Sequence, residues 1–163
     1  MEISDSELQR FTEESRERTK KRQQMTKALK SIATPIARKR EFTGTFPRFR
    51  RLREDRYDLF MFYFNKYDDS FFIEIAQCAP DWFRRPMSAH VPPEKMTTEH
   101  LPLFERARIQ PCAGRMAADC FQYGDAKTSD DFKRIAESVV PFMEQAAKMF
   151  EDFTNVQKLG RAV

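Results

Sequence analysis

Glycine is scarce in this chain, and its cysteines are not paired. The 163 residues include 4 Gly, and Gly44, Gly114, Gly124 and Gly160 lie far apart. This spacing argues against a glycine-rich phosphate-binding loop, which needs several glycines close together. The 3 Cys form no CxxC motif. An odd number of cysteines without a close pair argues against a disulfide framework and indicates a reducing compartment.

The sequence also lacks a long apolar run. A helix needs about 20 predominantly apolar residues to cross a bilayer, and no run in this chain approaches that length. The first residues, Met-Glu-Ile-Ser-Asp, do not have the basic and then apolar pattern of a signal peptide. These features predict a cytoplasmic protein with no membrane partner.

The N-terminal part of the chain has a helical pattern in two sections. Ser4–Glu7 has the spacing of a capping box, which predicts a helix start. Large apolar residues are then few until Met25, so we expect a solvated or partly disordered extension. From Met25 onward apolar residues recur at helical spacing and should pack on a core. We expect this helix to bend or restart at Pro35 and to end near Arg40.

Three aromatic runs between Thr45 and Cys78 predict β-strands. In Tyr57–Lys66 both alternating faces are apolar, so we expect a central strand that is covered on both sides. Phe71–Cys78 predicts a half-buried strand. In Phe46–Arg53, apolar and polar residues do not alternate regularly, and arginine is frequent, which suits an edge strand. Short polar segments separate the runs, so an antiparallel meander is expected.

The rest of the chain completes an α+β prediction. Short strands are expected near Arg106–Gln110 and Ala118–Tyr123, followed by a helix from Ser129 that Pro141 should kink. We therefore expect an antiparallel four- or five-stranded sheet flanked by a long N-terminal helix and a C-terminal helix. The expected organisation is a polar, basic helical extension over 1–24, a single α+β domain over 25–155 and a flexible tail over 156–163.

One set of aromatic and apolar residues extends over much of this domain. It comprises Leu29 to Ile36, Phe42, Phe46, Phe49-Arg50-Arg51, Phe60 to Tyr67, Ser70 to Ile75, Arg106 to Ile109 and Asp119 to Phe121. This set resembles a bacterial family known as domain of unknown function 4304. The resemblance implies a helix followed by an antiparallel meander and no known activity, so it implies no catalytic residue. The chain differs from the family at Glu41, where Gly is common, and at Cys120, where Trp is common.

The charge is distributed unevenly along the chain. The formal net charge is +4. Residues 1–56 contain 16 Lys and Arg and 9 Asp and Glu, which gives a net charge of +7. Residues 57–163 contain 13 Lys and Arg and 16 Asp and Glu, which gives −3. A basic end of this kind attracts acidic partners. Arginines interleaved with aromatics are also typical of sheets that bind single-stranded nucleic acid. There are two alternatives. The arginines could form a charged strand that discourages aggregation, or they could pair with acidic residues of the same molecule.

Residues 79–104 form a long, proline-rich connection. A connection of this length is usually functional or flexible. Trp82 and its basic neighbours suit a protein interface, although the ring could instead cap the core. His90 and His100 do not have the ligand spacing of a metal site, so we expect no metal or other cofactor.

These observations favour a non-enzymatic binding module that recognises a protein or small ligand through the sheet and the 79–104 loop. One alternative is nucleic-acid binding through the basic N-terminal helix and the Arg48–Arg56 strand. Another is a small enzyme with a pocket under the loop, although no pair of a nucleophile and a base is visible. The sequence sets no oligomeric state and points to no catalytic residue. The candidate binding residues are Arg48, Arg50, Arg51, Arg53, Trp82, Arg84, Arg85, Arg106 and Arg108.

Overall fold

The protein has an α+β fold, as predicted, with the two flanking helical regions and the antiparallel sheet in the expected order. The computed structural model describes residues 4–80, 91–112, 114 and 116–152. The elements are α1 (Asp5–Lys39), β1 (Thr43–Thr45), β2 (Arg48–Leu52), β3 (Tyr57–Phe64), β4 (Ser70–Cys78), β5 (Arg106–Ile109), β6 (Phe121–Gln122), α2 (Ser129–Ser138) and α3 (Val140–Glu151).

Helix α1 begins at the predicted capping box. Ser4 Oγ accepts a hydrogen bond from the Glu7 backbone N–H at 3.3 Å, and the Glu7 carboxylate accepts one from the Ser4 N–H at 3.0 Å. The bonds from the Ser4 backbone and side chain hold the pKa of Glu7 below its usual value, because they favour the ionised carboxylate. The helix continues through Pro35 without a restart, since Ala33 and Ala37 on either side are buried against the core.

The C-terminus of α1 is closed by a residue in the left-handed conformation. Glu41 has a φ of 64°. Its N–H donates to the Arg38 carbonyl at 3.0 Å, and the Phe42 N–H donates to the Ala37 carbonyl at 3.0 Å. These two bonds form a Schellman motif, in which Gly is the preferred residue at the left-handed position.

We expect Glu41→Gly to raise the free energy of unfolding by about 0.5–1 kcal/mol. The relief of left-handed strain, about 1–2 kcal/mol, should exceed the entropic cost of an added glycine, about 0.5–1 kcal/mol. Urea denaturation measures the change. The matched control is Lys39→Gly, which lies inside the helix and should lose about 1 kcal/mol. An equal loss in both variants would contradict the prediction.

The strands described by the structure form one six-stranded antiparallel sheet in the order β1-β2-β3-β4-β5, with β6 also paired to β4. The prediction that the arginine-rich strand is an edge is wrong, because β2 lies between β1 and β3. The edge is the three-residue strand β1, which is too short and too polar for its alternation to be recognised in the sequence. The β3 strand is internal, as predicted.

Strand β4 is buried at all nine positions rather than on one face. The inner sheet face, which we define as the face toward the helices, carries Phe71, Ile73 and Ile75 of this strand. The opposite face, the outer sheet face, is covered in part by residues 91–105, the cover segment. Met96 and Leu101 of this segment pack on Ala76 and Cys78. The prediction of a half-buried strand is wrong because it did not include this second layer.

The two C-terminal helices meet at Val139. Thr128 caps α2, and the Asp131 carboxylate accepts hydrogen bonds from the backbones of Thr128 and Lys127 and from the Thr128 hydroxyl. These bonds lower the pKa of Asp131 to about 2. Pro141 lies in the first turn of α3. The structure therefore has two separate helices where the sequence predicted one helix with a kink. Both helices pack with α1 on the inner sheet face.

Candidate binding surface on the outer sheet face

Two rows of side chains cross the outer sheet face. In the first row, Arg48 on β2 is in register with Met61, Glu74 and Arg108 on the next three strands. In the second row, the register partners are Arg50, Leu59, Ala76 and Arg106. The sheet therefore brings four of the predicted binding residues, Arg48, Arg50, Arg106 and Arg108, onto one surface.

Arg106 holds the cover segment against the sheet. Its guanidinium donates to the backbone carbonyls of Leu101 and Glu99, each at 2.8 Å. It also lies 3.5 Å from the carboxylate of Glu74, which is buried and accepts a hydrogen bond from the Thr98 hydroxyl at 2.6 Å. The buried carboxylate is thus compensated by a charge and a hydrogen bond, as burial of an ionised group requires.

Arg48 forms an ion pair at the rim of the same face. Its Nε and Nη2 atoms lie 3.0 Å and 2.9 Å from Oε2 of Glu99. Both side chains are partly exposed, and pairs of this kind contribute about 0–1 kcal/mol because solvent screens them. Arg48 can therefore exchange Glu99 for another carboxylate at little cost.

Arg108 is held over an aromatic stack. Its Cζ atom lies 4.2 Å from the centroid of the Phe72 ring, and Phe72 stacks on Tyr63 with a centroid distance of 5.0 Å. Tyr63 is 38% exposed, and Arg108 is exposed. Arg50 is half-buried in the second row. Among the described residues, neither Arg50 nor Arg108 forms an ion pair with a carboxylate.

Two other predicted binding residues lie away from this surface. Arg51 is on the inner sheet face, where its Nη2 atom is 2.8 Å from Oδ2 of Asp58. Arg53 lies 3.4 Å from the same oxygen and also pairs with Glu151. The structure therefore places both arginines in an intramolecular ion cluster, which is the pairing with the acidic body that the sequence left open.

The aromatic residues beside these arginines are divided between the two faces. Phe49 is buried on the inner sheet face and stacks on Phe60 at 4.7 Å, because alternate residues of a strand point to opposite sides. The arginine and aromatic pairing on the outer face instead involves Tyr63, Phe72 and Arg108. Sequence reasoning missed this stack because it joins three strands, and its signal lies in strand register rather than in local spacing.

Trp82, Arg84 and Arg85 lie outside the described residues, as does His90. In the described part of the same connection, His100 Nδ1 accepts a hydrogen bond from the Thr97 N–H at 3.1 Å. This is a turn contact, since Thr97 caps the 3-10 turn Thr98–His100, of which His100 is the last residue.

The three cysteines are free thiols in the structure. Cys78 and Cys120 are buried, and Cys112 is exposed. Burial raises the pKa of the Cys120 thiol, which favours the protonated form over the nucleophilic thiolate. Within the described ranges, no group of three His, Cys, Asp or Glu side chains is arranged to hold a metal ion, and no helix is long and apolar enough to cross a bilayer.

Comparison with protein-family models, curated proteins and solved structures gives no match to this chain. The resemblance to domain of unknown function 4304 therefore stays a prediction. The outer sheet face is the structural basis for a proposal of function.

Proposed function

We propose that this protein is a non-enzymatic interaction module of a bacterial cytoplasm that binds an acidic segment of a partner protein. The binding surface is the outer sheet face together with the cover segment. The observation that carries the proposal is the pair of outer-face arginines, Arg50 and Arg108, which have no carboxylate partner in the described part of the chain while Arg48 and Arg106 are paired.

The arrangement of these two arginines favours an extended peptide. Arg50 is on β2 and Arg108 is on β5, with β3 and β4 between them. Strands lie about 4.8 Å apart, so the two positions are roughly 15 Å apart across the sheet. About five residues of extended chain span that distance at about 3.3 Å per residue. A peptide with two separated acidic side chains can therefore pair with both arginines, whereas a small ligand reaches one of them.

The stack under Arg108 supports the same proposal. Phe72 restricts the guanidinium that lies over it, so less side-chain entropy is lost when a carboxylate binds. Tyr63 adds an exposed aromatic edge beside the arginine, and aromatic and arginine side chains are the residues that most often dominate protein interfaces.

The test is fluorescence anisotropy with a labelled hexaglutamate peptide at low salt. The double variant Arg50→Gln/Arg108→Gln should reduce affinity about tenfold, equivalent to about 1.4 kcal/mol. The matched control is Lys20→Gln/Lys27→Gln, which removes the same charge from the exposed side of α1. Circular dichroism checks that both variants are folded. Equal losses in the two double variants would indicate general charge attraction and contradict the proposed surface.

The exposed basic residues of α1 favour nucleic-acid binding as a second candidate. Arg16, Lys20 and Lys27 share one side of the helix and have no ion-pair partner among the described residues. If these residues bind nucleic acid, the affinity for a single-stranded DNA probe should fall steeply as salt increases. The variant Lys20→Gln/Lys27→Gln should reduce that affinity. The sheet variant should leave this binding unchanged. No DNA binding at low salt would eliminate the second candidate.

A further inference from the structure

The N-terminal part of α1 carries exposed apolar residues. They lie on the same side of the helix that packs against the core in its later part, from Met25 onward. Leu8 is 58% exposed and Phe11 is 73% exposed. They are related to the buried Met25 and Leu29 by steps of three and four residues, which place them on one helix face. In the described residues, ion pairs from α1 to other elements begin only at Arg18, which lies 3.9 Å from Asp69. Because both side chains are largely exposed, the face that carries Leu8 and Phe11 is not covered by any other element in the described part of the chain.

A basic groove lies where this face reaches the body of the protein. The groove has a volume of about 170 Å³ and is formed by α1, the β3–β4 turn and Tyr123. Arg18, Arg22 and Lys66 contribute positive charge, and Asp68 is an acidic lining residue. Arg22 is held in place over the Phe64 ring at 5.1 Å.

We propose that a second copy of this chain covers the exposed face, with the two α1 segments antiparallel. Charge determines the orientation. Residues 5–14 carry four acidic residues and one basic residue, a net charge of −3, and residues 15–22 carry five basic residues and one acidic residue, a net charge of +4. An antiparallel pair places the acidic half of each helix against the basic half of the other, whereas a parallel pair places like charges together.

The spacing of the face sets the register of the pair. With Phe11 of each copy opposite the small residue Ser15 of the other, Leu8 lies opposite Arg18 and Asp5 lies opposite Lys21. The acidic first turn of each helix then enters the basic groove of the other molecule. The surfaces are self-complementary, as a two-fold interface requires.

The size of this contact predicts a weak dimer. Residues 5–21 of the two copies overlap, which is about 25 Å of helix at about 1.5 Å per residue, and each copy contributes two large apolar side chains. This places the interface at the lower end of the range for specific association. Dimerisation should therefore depend on protein concentration and weaken as salt screens the charges.

Sedimentation velocity over a range of protein concentrations tests the proposal. The dimer fraction of the full chain should increase with concentration, and Phe11→Glu should abolish the dimer without unfolding the protein, since the side chain is exposed. Gln9→Glu makes the same change in charge on the other side of the helix and should retain the dimer. A monomer at every concentration overturns the proposal. In that case a different partner would have to cover the face that carries Leu8 and Phe11. A dimer that Phe11→Glu does not affect also overturns it.

Disulfide trapping tests the orientation. Leu8→Cys and Arg18→Cys chains, each with Cys112→Ser and a distinct mass tag, are mixed and oxidised with oxidised glutathione. Two thiols lose two electrons and two protons to the glutathione disulfide, and a bond between the chains forms. The antiparallel register predicts the mixed Leu8→Cys with Arg18→Cys product. Predominant Leu8→Cys homodimers would indicate a parallel pair and overturn the proposal.

Discussion

Replacing Asp58 with asparagine is expected to lower the free energy of unfolding by about 3–5 kcal/mol, because it removes one partner of a buried ion cluster. Asp58 is fully buried on β3. Its Oδ2 atom accepts from Arg51 Nη2 at 2.8 Å, and its Oδ1 atom accepts from Gln77 Nε2 at 2.7 Å and from Arg56 Nε at 3.2 Å. Arg53 lies 3.4 Å from Oδ2.

The cluster joins parts of the fold that are distant in sequence. Arg51, Asp58 and Gln77 are register partners on three adjacent strands. Gln77 and Arg56 also donate to the Phe150 carbonyl near the end of α3, at 3.1 Å and 2.9 Å. Loss of the carboxylate charge leaves the guanidinium groups of Arg51, Arg53 and Arg56 without their common partner, and the side chain of Arg51 is buried. The sheet and α3 should therefore loosen together.

Urea denaturation and thermal melting measure this effect. The melting temperature should fall by about 6–20 °C, since each kcal/mol corresponds to about 2–4 °C for a chain of this size. The matched control is Asp55→Asn, which removes an exposed carboxylate whose ion pair among the described residues is with Arg56. That variant should change stability by less than about 1 kcal/mol. Similar losses in the two variants would mean that burial of Asp58 contributes nothing to its effect.

The second large effect is expected for Phe71→Ala, which should cost about 3–5 kcal/mol because it leaves a cavity in the aromatic core. Phe71 is fully buried on the inner sheet face. Its ring stacks on Phe121 at 5.0 Å and lies within 6.3 Å of three further aromatic rings, measured between centroids. The surrounding rings belong to two strands, β3 and β6, and to the β6–α2 connection, so they cannot all move in to fill the space.

Urea denaturation again measures the loss, with two comparison variants. Phe71→Leu keeps most of the volume and should cost less than about 1.5 kcal/mol. Tyr67→Ala removes a ring of similar size from the exposed β3–β4 turn and should change stability by no more than about 0.5 kcal/mol. If Phe71→Leu were as damaging as Phe71→Ala, ring contacts rather than filled volume would dominate the energetics of this site.

Much of the fold follows from local patterns. The capping box at Ser4 and the helical spacing after Met25 predict α1, and the doubly apolar run of Tyr57–Lys66 predicts the internal strand β3. These predictions succeed because helix and strand periods place neighbouring residues on defined faces. The edge position of β2 and the half-buried state of β4 were predicted wrongly, because both depend on segments that pair or pack from elsewhere in the chain.

The candidate binding surface shows the same division. The sequence identified a basic region with many arginines, and four of them, Arg48, Arg50, Arg106 and Arg108, lie together on the outer sheet face. Arg51 was grouped with them by its position in the sequence, yet alternation directs it to the opposite face and into the Asp58 cluster. Phe72 and Tyr63 were not proposed as supports for Arg108, because they meet it only through the pairing of β3, β4 and β5.

Composition and periodicity thus establish the α+β class, the two helical regions, the aromatic core and the excess of positive charge near the N-terminus, because these properties depend on short stretches of chain. Strand register and packing assign each arginine its partner. A guanidinium interacts strongly only with groups within a few ångströms, and residues such as Arg51 and Glu151 come within that distance only when the sheet and α3 are assembled. On the outer sheet face, Arg50 and Arg108 have no carboxylate partner among the described residues, and these two arginines carry the proposed function.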